Sequence, residues 1–132
     1  MPVDSGKHQQ VMKRRTLRKH RAGGTAGHHH HVYVVLLEPA AGKLRRVQRA
    51  NPARVPEQPC VYVGMTGLTP EERFANHKQG IKDAWLVKRY GVRLLPELFV
   101  HLNPMPFEAA SQMEKDLADD LRQQGYTVTG GY

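Results

Sequence analysis

The longest apolar run in this chain is the stretch Val32-Tyr-Val-Val-Leu-Leu37, which begins after four histidines and ends at Glu38-Pro39. It is far short of the roughly 20 apolar residues that span a bilayer, so no membrane segment is expected. Its β-branched and aromatic composition reads instead as a buried strand beginning at His31. The chain has 132 residues, 39% of them hydrophobic, enough for one core. Residues 1–27 are polar and basic, unlike a secretory leader. Cys60 is the single cysteine, which excludes an internal disulfide and a four-thiolate zinc site. These features describe a small soluble protein, expected in the cytoplasm.

The formal net charge is +8, which suggests a polyanionic partner. The charge is uneven. Residues 1–31 hold seven basic residues and one acid, and carry +6; the remaining 13 basic and 11 acidic residues leave +2. The first segment is poor in apolar residues and cannot offset the entropy of ordering it. Residues 1–30 therefore read as a disordered basic tail, with a transient helix between Val11 and His20. Such a tail is a phosphate-binding arm, a solvated extension or a targeting peptide. His28 to His31 invite a metal reading. Neighbouring histidines in an extended chain point to alternate sides, however, so the run is no preformed site, and natural low complexity accounts for it more readily.

Beyond the first strand, Ala40-Ala-Gly42 has turn chemistry. Lys43 to Arg54 contains five basic residues and no acid, and reads as a basic ribbon or loop. Lys43, Arg45, Arg46 and Arg49 within it are candidates for nucleic-acid contact. Pro56 and Pro59 precede a second strand, Cys60 to Gly64. Thr69-Pro70-Glu71-Glu72 then provides a capping threonine, a proline at the first helical position and a glutamate three residues after the cap. The helix is expected to end near Gln79, before Gly80. Arg73 and His77, four apart, share one face of it. Lys78 is a solvated helix residue or one that reaches phosphate. A short helix is expected over Asp83 to Tyr90 and a third strand over Glu97 to Leu102.

Between Pro106 and Gly125, the residues Phe107, Ala110, Glu114, Leu117 and Leu121 recur at helical spacing. A carboxylate thus sits on an otherwise apolar stripe. Burying it unpaired is costly. Glu114 is either a structural ion-pair partner, most naturally of Arg73, or a metal ligand or acid–base group in a cleft. Tyr126 to Tyr132 closes the chain as an edge strand.

The order of these elements resembles the GIY-YIG nuclease superfamily. Val61-Tyr62-Val63-Gly64 is similar to the second half of the family's signature, and Val32-Tyr33 stands where the first half belongs, with His31 in place of the usual glycine. The helix carrying Arg73 and His77 follows, and Glu114 matches the glutamate that holds the family's metal ion. The resemblance spans residues 31–132. It implies a small α/β (α+β) domain with a three-stranded antiparallel sheet flanked by helices. It also implies endonucleolytic hydrolysis of DNA phosphodiester bonds with one divalent cation, Mg2+ or Mn2+.

In that chemistry Arg73 faces phosphate oxygens, Glu114 holds the cation, and Tyr33 or Tyr62 orients or deprotonates water, with His77 beside them. A tyrosine base acting near pH 7 needs about 4 kcal/mol of help from neighbouring positive charge. Many members carry an asparagine after the glutamate helix, where this chain has Thr127 and Thr129. A catalytically silent nucleic-acid-binding or protein-interaction module on the same fold is the alternative expectation.

Overall fold

The computed structural model describes residues 27–80 and 84–131. The expected tail helix lies outside these residues, as does most of the basic tail itself. Among the described residues, no helix is long and apolar enough to cross a membrane.

The first strand, β1, runs His31–Leu37. Val32 to Val35 are all fully buried, so both faces of the strand are covered. A 3-10 turn, Pro39–Lys43, takes the place of the simple turn expected at Ala40 to Gly42. The basic stretch that follows is not a ribbon: Arg45–Ala50 forms a short helix, α1, because Val47 can bury its side chain while the arginines stay in solvent. Strand β2, Cys60–Thr66, extends two residues beyond the expected end.

Helix α2, Pro70–Gln79, has the bounds its caps dictate. The Thr69 hydroxyl oxygen accepts from the Glu72 N–H at 3.1 Å, and the Glu72 carboxylate accepts from the Thr69 N–H at 3.0 Å. Gly80 closes the helix at φ 83°, a backbone that favours glycine. Helix α3, Trp85–Tyr90, runs directly into strand β3, Gly91–Leu94. Asp83, where α3 was expected to begin, lies outside the described residues.

The expected strand over Glu97 to Leu102 is instead two 3-10 turns, Pro96–Leu98 and Val100–Leu102. Pairing to β1 ends when the Leu95 N–H donates to the Val34 carbonyl at 2.9 Å, and Pro96 has no N–H with which to continue. Helix α4 spans Phe107–Gln123, and strand β4 spans Thr127–Gly130.

The sheet has four strands in the order β3-β1-β2-β4. β1 pairs antiparallel with β3 on one side and with β2 on the other, and β4 joins the β2 edge in parallel. The architecture is therefore a mixed α/β layer rather than a purely antiparallel three-stranded sheet. The parallel pairing requires a long crossover, which α2, α3, β3 and α4 supply. Helix α4 packs across β1, β2 and β4, while α2 and α3 pack on β1 and β3.

On α4 the buried stripe includes Ala109, Ala110, Met113, Glu114, Leu117, Ala118 and Leu121. Phe107, expected on that stripe, is 55% exposed. It is the first residue of the helix, and helical side chains lean toward the N-terminus. Its ring consequently overhangs the core and meets the edge of His30, with centroids 5.2 Å apart.

Candidate active site

Adjacent strands deliver two tyrosines and one helical face delivers their partners. Tyr33 on β1 lies opposite Gly64 on β2, and Tyr62 is two residues before that glycine. A Cβ at Gly64 would lie 2.6 Å from the Tyr33 phenol oxygen and 2.9 Å from the Tyr62 ring. The glycine is therefore the gap through which the Tyr33 ring passes. Gly130, at φ 74° on β4, makes similar room beside Tyr62.

His77, one helical turn after Arg73, completes a triangle of rings. Its centroid lies 6.1 Å from Tyr33 and 5.9 Å from Tyr62, and the two tyrosine rings are 6.2 Å apart. Far from being a surface residue, His77 is fully buried. Its Nδ1 accepts from the Ala84 backbone N–H at 2.8 Å, which leaves Nε2 as the protonated nitrogen. Nε2 then donates to the Tyr33 oxygen at 2.8 Å.

Tyr33 is 1% exposed, and burial raises its phenol pKa above the ordinary tyrosine range. The Tyr62 phenol adds to the rise, and the charge and hydrogen bonding of the Arg73 guanidinium oppose it. Tyr33 is not among the residues lining the cavity, whereas Tyr62, Arg73 and His77 line an open cavity of about 520 Å³.

Glu114 is 7% exposed and does not line that cavity. Its main chain approaches Gly131, next to the cavity-lining Gly130, and its charge is felt at Tyr33. Burial pushes its carboxyl up to about 7, against the opposing charge of Lys115. Lys115, not Arg73, is the cation whose charge bears on this carboxyl. Among the described residues, no three His, Cys, Asp or Glu side chains gather as a metal cluster. Within the run His28 to His31, His30 pairs its backbone with Met105, at 3.0 and 2.9 Å.

The basic candidates divide. Arg46 lines the cavity. Arg45 lines a neighbouring hollow, and Lys43 and Arg49 are exposed nearby. Lys78 donates its ammonium to the carbonyls of Lys88 and Gly91, at 3.2 and 3.0 Å, and so caps the end of α3. It is an exposed helix residue, as expected, tied to α3 and not among the residues lining the cavity.

Among the cavity residues that escaped the sequence reading, one is charged and one aromatic. Arg122, in the last turn of α4, donates to the Asn51 side-chain oxygen at 3.2 Å and faces the cavity. Trp85, 52% exposed, stands on the same wall. A lone arginine near a helix end and a tryptophan in a short helix carry no motif that would have marked them. Three arginines, a tyrosine and a neutral histidine in one concavity suit an anionic, oxygen-rich ligand. The chain matches no family model, no curated protein and no solved structure.

Proposed function

We propose that the chain is a metal-dependent endonuclease of the GIY-YIG type, cleaving phosphodiester bonds in DNA. The observation that carries the reading is the meeting of Tyr62, Arg73 and His77 on one cavity wall, with Arg46 and Arg122 lining the same space.

Phosphodiester hydrolysis needs an oriented water, a counter to charge growing on phosphorus, and stabilisation of the leaving oxygen. Arg73 is permanently charged and braced against Tyr33, so it offers a fixed donor to phosphate oxygens. Arg122 is held by Asn51 and offers a second. Tyr62 presents the hydroxyl that orients the attacking water. Tyr33 is a positioning residue, holding His77 and Arg73 relative to Tyr62.

The donor chemistry of Glu114 fits a hard divalent cation. It is a buried carboxylate whose carboxyl stays protonated more readily than a free one despite the charge of Lys115, and magnesium is ordinarily held by one or two carboxylates plus waters and substrate phosphate. Glu114 would hold the ion beside the cavity rather than on its lining, and Mg2+ or Mn2+ there would supply Lewis-acid stabilisation to phosphoryl oxygens.

The test is incubation of purified protein with plasmid, branched and single-stranded DNA in magnesium or manganese. Cleavage is expected, with losses of about 10²–10³-fold in Arg73→Ala and comparable losses in Tyr62→Phe and Glu114→Gln. Undiminished cutting by all three variants would overturn the assignment.

One observation favours a catalytically silent binding module: the Thr129 hydroxyl, near the region where many family members carry an asparagine, donates to the Val61 carbonyl at 3.0 Å. Salt-sensitive DNA binding without cleavage in any metal would select that reading.

A further inference from the structure

Trp85 projects from the first turn of α3 with half its surface in solvent. Its indole is nonetheless held in place. The Arg46 guanidinium lies over the ring at 5.4 Å from the centroid, and Tyr90 meets it edge-on at 6.0 Å and 85°. The Arg46–Trp85 pair borders two concavities at once. One is the cavity containing Tyr62 and Arg73; the other is a hollow of about 480 Å³ lined by Leu44, Arg45, Arg46 and Trp85.

The hollow joins an exposed aromatic ring and an aliphatic side chain to two guanidinium groups, with no acid on its lining. A flat, electron-rich ring attached to an anionic backbone matches each part. The ring stacks on the indole, and the backbone phosphates meet Arg45 and Arg46. Base faces inside a duplex are already stacked on their neighbours and cannot reach a ring that stands at a surface. An unpaired base can.

We propose that this hollow is a nucleobase subsite, in which Trp85 stacks an unpaired base adjoining the phosphate held in the neighbouring cavity. The substrate class is thereby DNA with single-stranded or extrahelical nucleotides. This rests on the nucleic-acid reading above and adds to it a preference that the catalytic residues do not dictate.

Trp85 is the only tryptophan in the chain, so its fluorescence reports the subsite directly. Full-length protein is titrated in EDTA, to prevent cleavage, with an oligothymidine of about eight nucleotides and with an abasic oligomer of the same length and charge. Labelled strands give affinities by anisotropy. The base-bearing strand is expected to quench Trp85 and to bind about five- to 100-fold more tightly than the abasic strand. Trp85→Ala is expected to erase the difference, so that this variant binds oligothymidine and the abasic strand equally, and Trp85→Phe to restore part of it. Circular dichroism of each variant separates lost stacking from lost folding.

Equal affinity for the two strands, or unchanged oligothymidine affinity in folded Trp85→Ala, overturns the subsite. If neither strand nor duplex DNA binds, the nucleic-acid reading falls and the subsite with it. If duplex is bound and cut without base discrimination, the subsite alone falls.

Discussion

His77 and Tyr33 are joined by a 2.8 Å hydrogen bond whose direction is fixed from the far side of the imidazole. The Ala84 N–H occupies Nδ1, so the proton lies on Nε2 and the phenol oxygen accepts it. The segment leading into α3 therefore sets the protonation pattern of a pair supplied by β1 and α2.

Removing the imidazole leaves the buried Tyr33 oxygen and the Ala84 N–H without this partner. His77→Ala is expected to lower stability by about 2–4 kcal/mol, from two lost bonds and a cavity. Urea unfolding measures it. A loss of cleavage well beyond the unfolded fraction would show that His77 also orients the site.

Gly64 has no room for a methyl group. With Tyr33 atoms 2.6 Å from a Cβ on one side and the Tyr62 ring 2.9 Å away on the other, Gly64→Ala must displace both aromatic rings. The expected cost is about 2–4 kcal/mol. Thermal unfolding checks the stability, and near-ultraviolet circular dichroism checks the tyrosine environment.

Glu114 makes stability depend on pH in a stated direction. In the fold its carboxyl keeps a proton up to about pH 7, whereas the unfolded chain releases it near 4.5. The folded state therefore binds more protons between these values, and this group's contribution to stability falls as pH rises from 4.5 to 7 and then stays flat. Glu114→Gln removes that slope and is expected to melt about 3–6 °C above wild type at pH 8.

The same group supplies a metal assay. A cation selects the ionised carboxylate, so magnesium is expected to stabilise the wild type more at pH 8 than at pH 6. Free magnesium at ten times its Kd contributes about 1.4 kcal/mol, measured as a melting shift. An equal shift in Glu114→Gln would place the cation elsewhere.

Asn51 accepts from the Val128 N–H at 2.8 Å and from Arg122 at 3.2 Å, and donates to the Val128 and Val47 carbonyls at 2.9 and 2.8 Å. Asn51→Ala is expected to cost about 2–4 kcal/mol and to loosen Arg122. The urea midpoint gives the first effect. A rise in the dissociation constant for DNA, measured on folded protein, gives the second.

What the sequence disclosed was local. The Thr69–Glu72 box and Gly80 specify α2 without reference to the rest of the chain, and so place Arg73 and His77 on one face. The density of Val32 to Val35 likewise announces a strand with both faces covered. Leu98, Val100 and Leu102 alternate as a strand would, yet only Leu102 is buried, since Pro96 has already ended the ladder. The composition of Lys43 to Arg54 pointed to a ribbon or loop and hid the helix, because Val47 is the sole buried anchor in α1. Arg122 belongs to the cavity through a residue 71 positions away, and no local pattern encodes that meeting.

The Asn51 amide has a second consequence. Its oxygen and nitrogen engage both the N–H and the C=O of Val128, as the backbone of a neighbouring strand would. β4 is the outer strand on that side of the sheet, the place where a second molecule would otherwise add on. The Asn51 side chain thus satisfies groups of Val128 that would otherwise be open to an incoming strand. Variants that lose it are expected to accumulate as aggregates at concentrations where the parent protein stays dispersed.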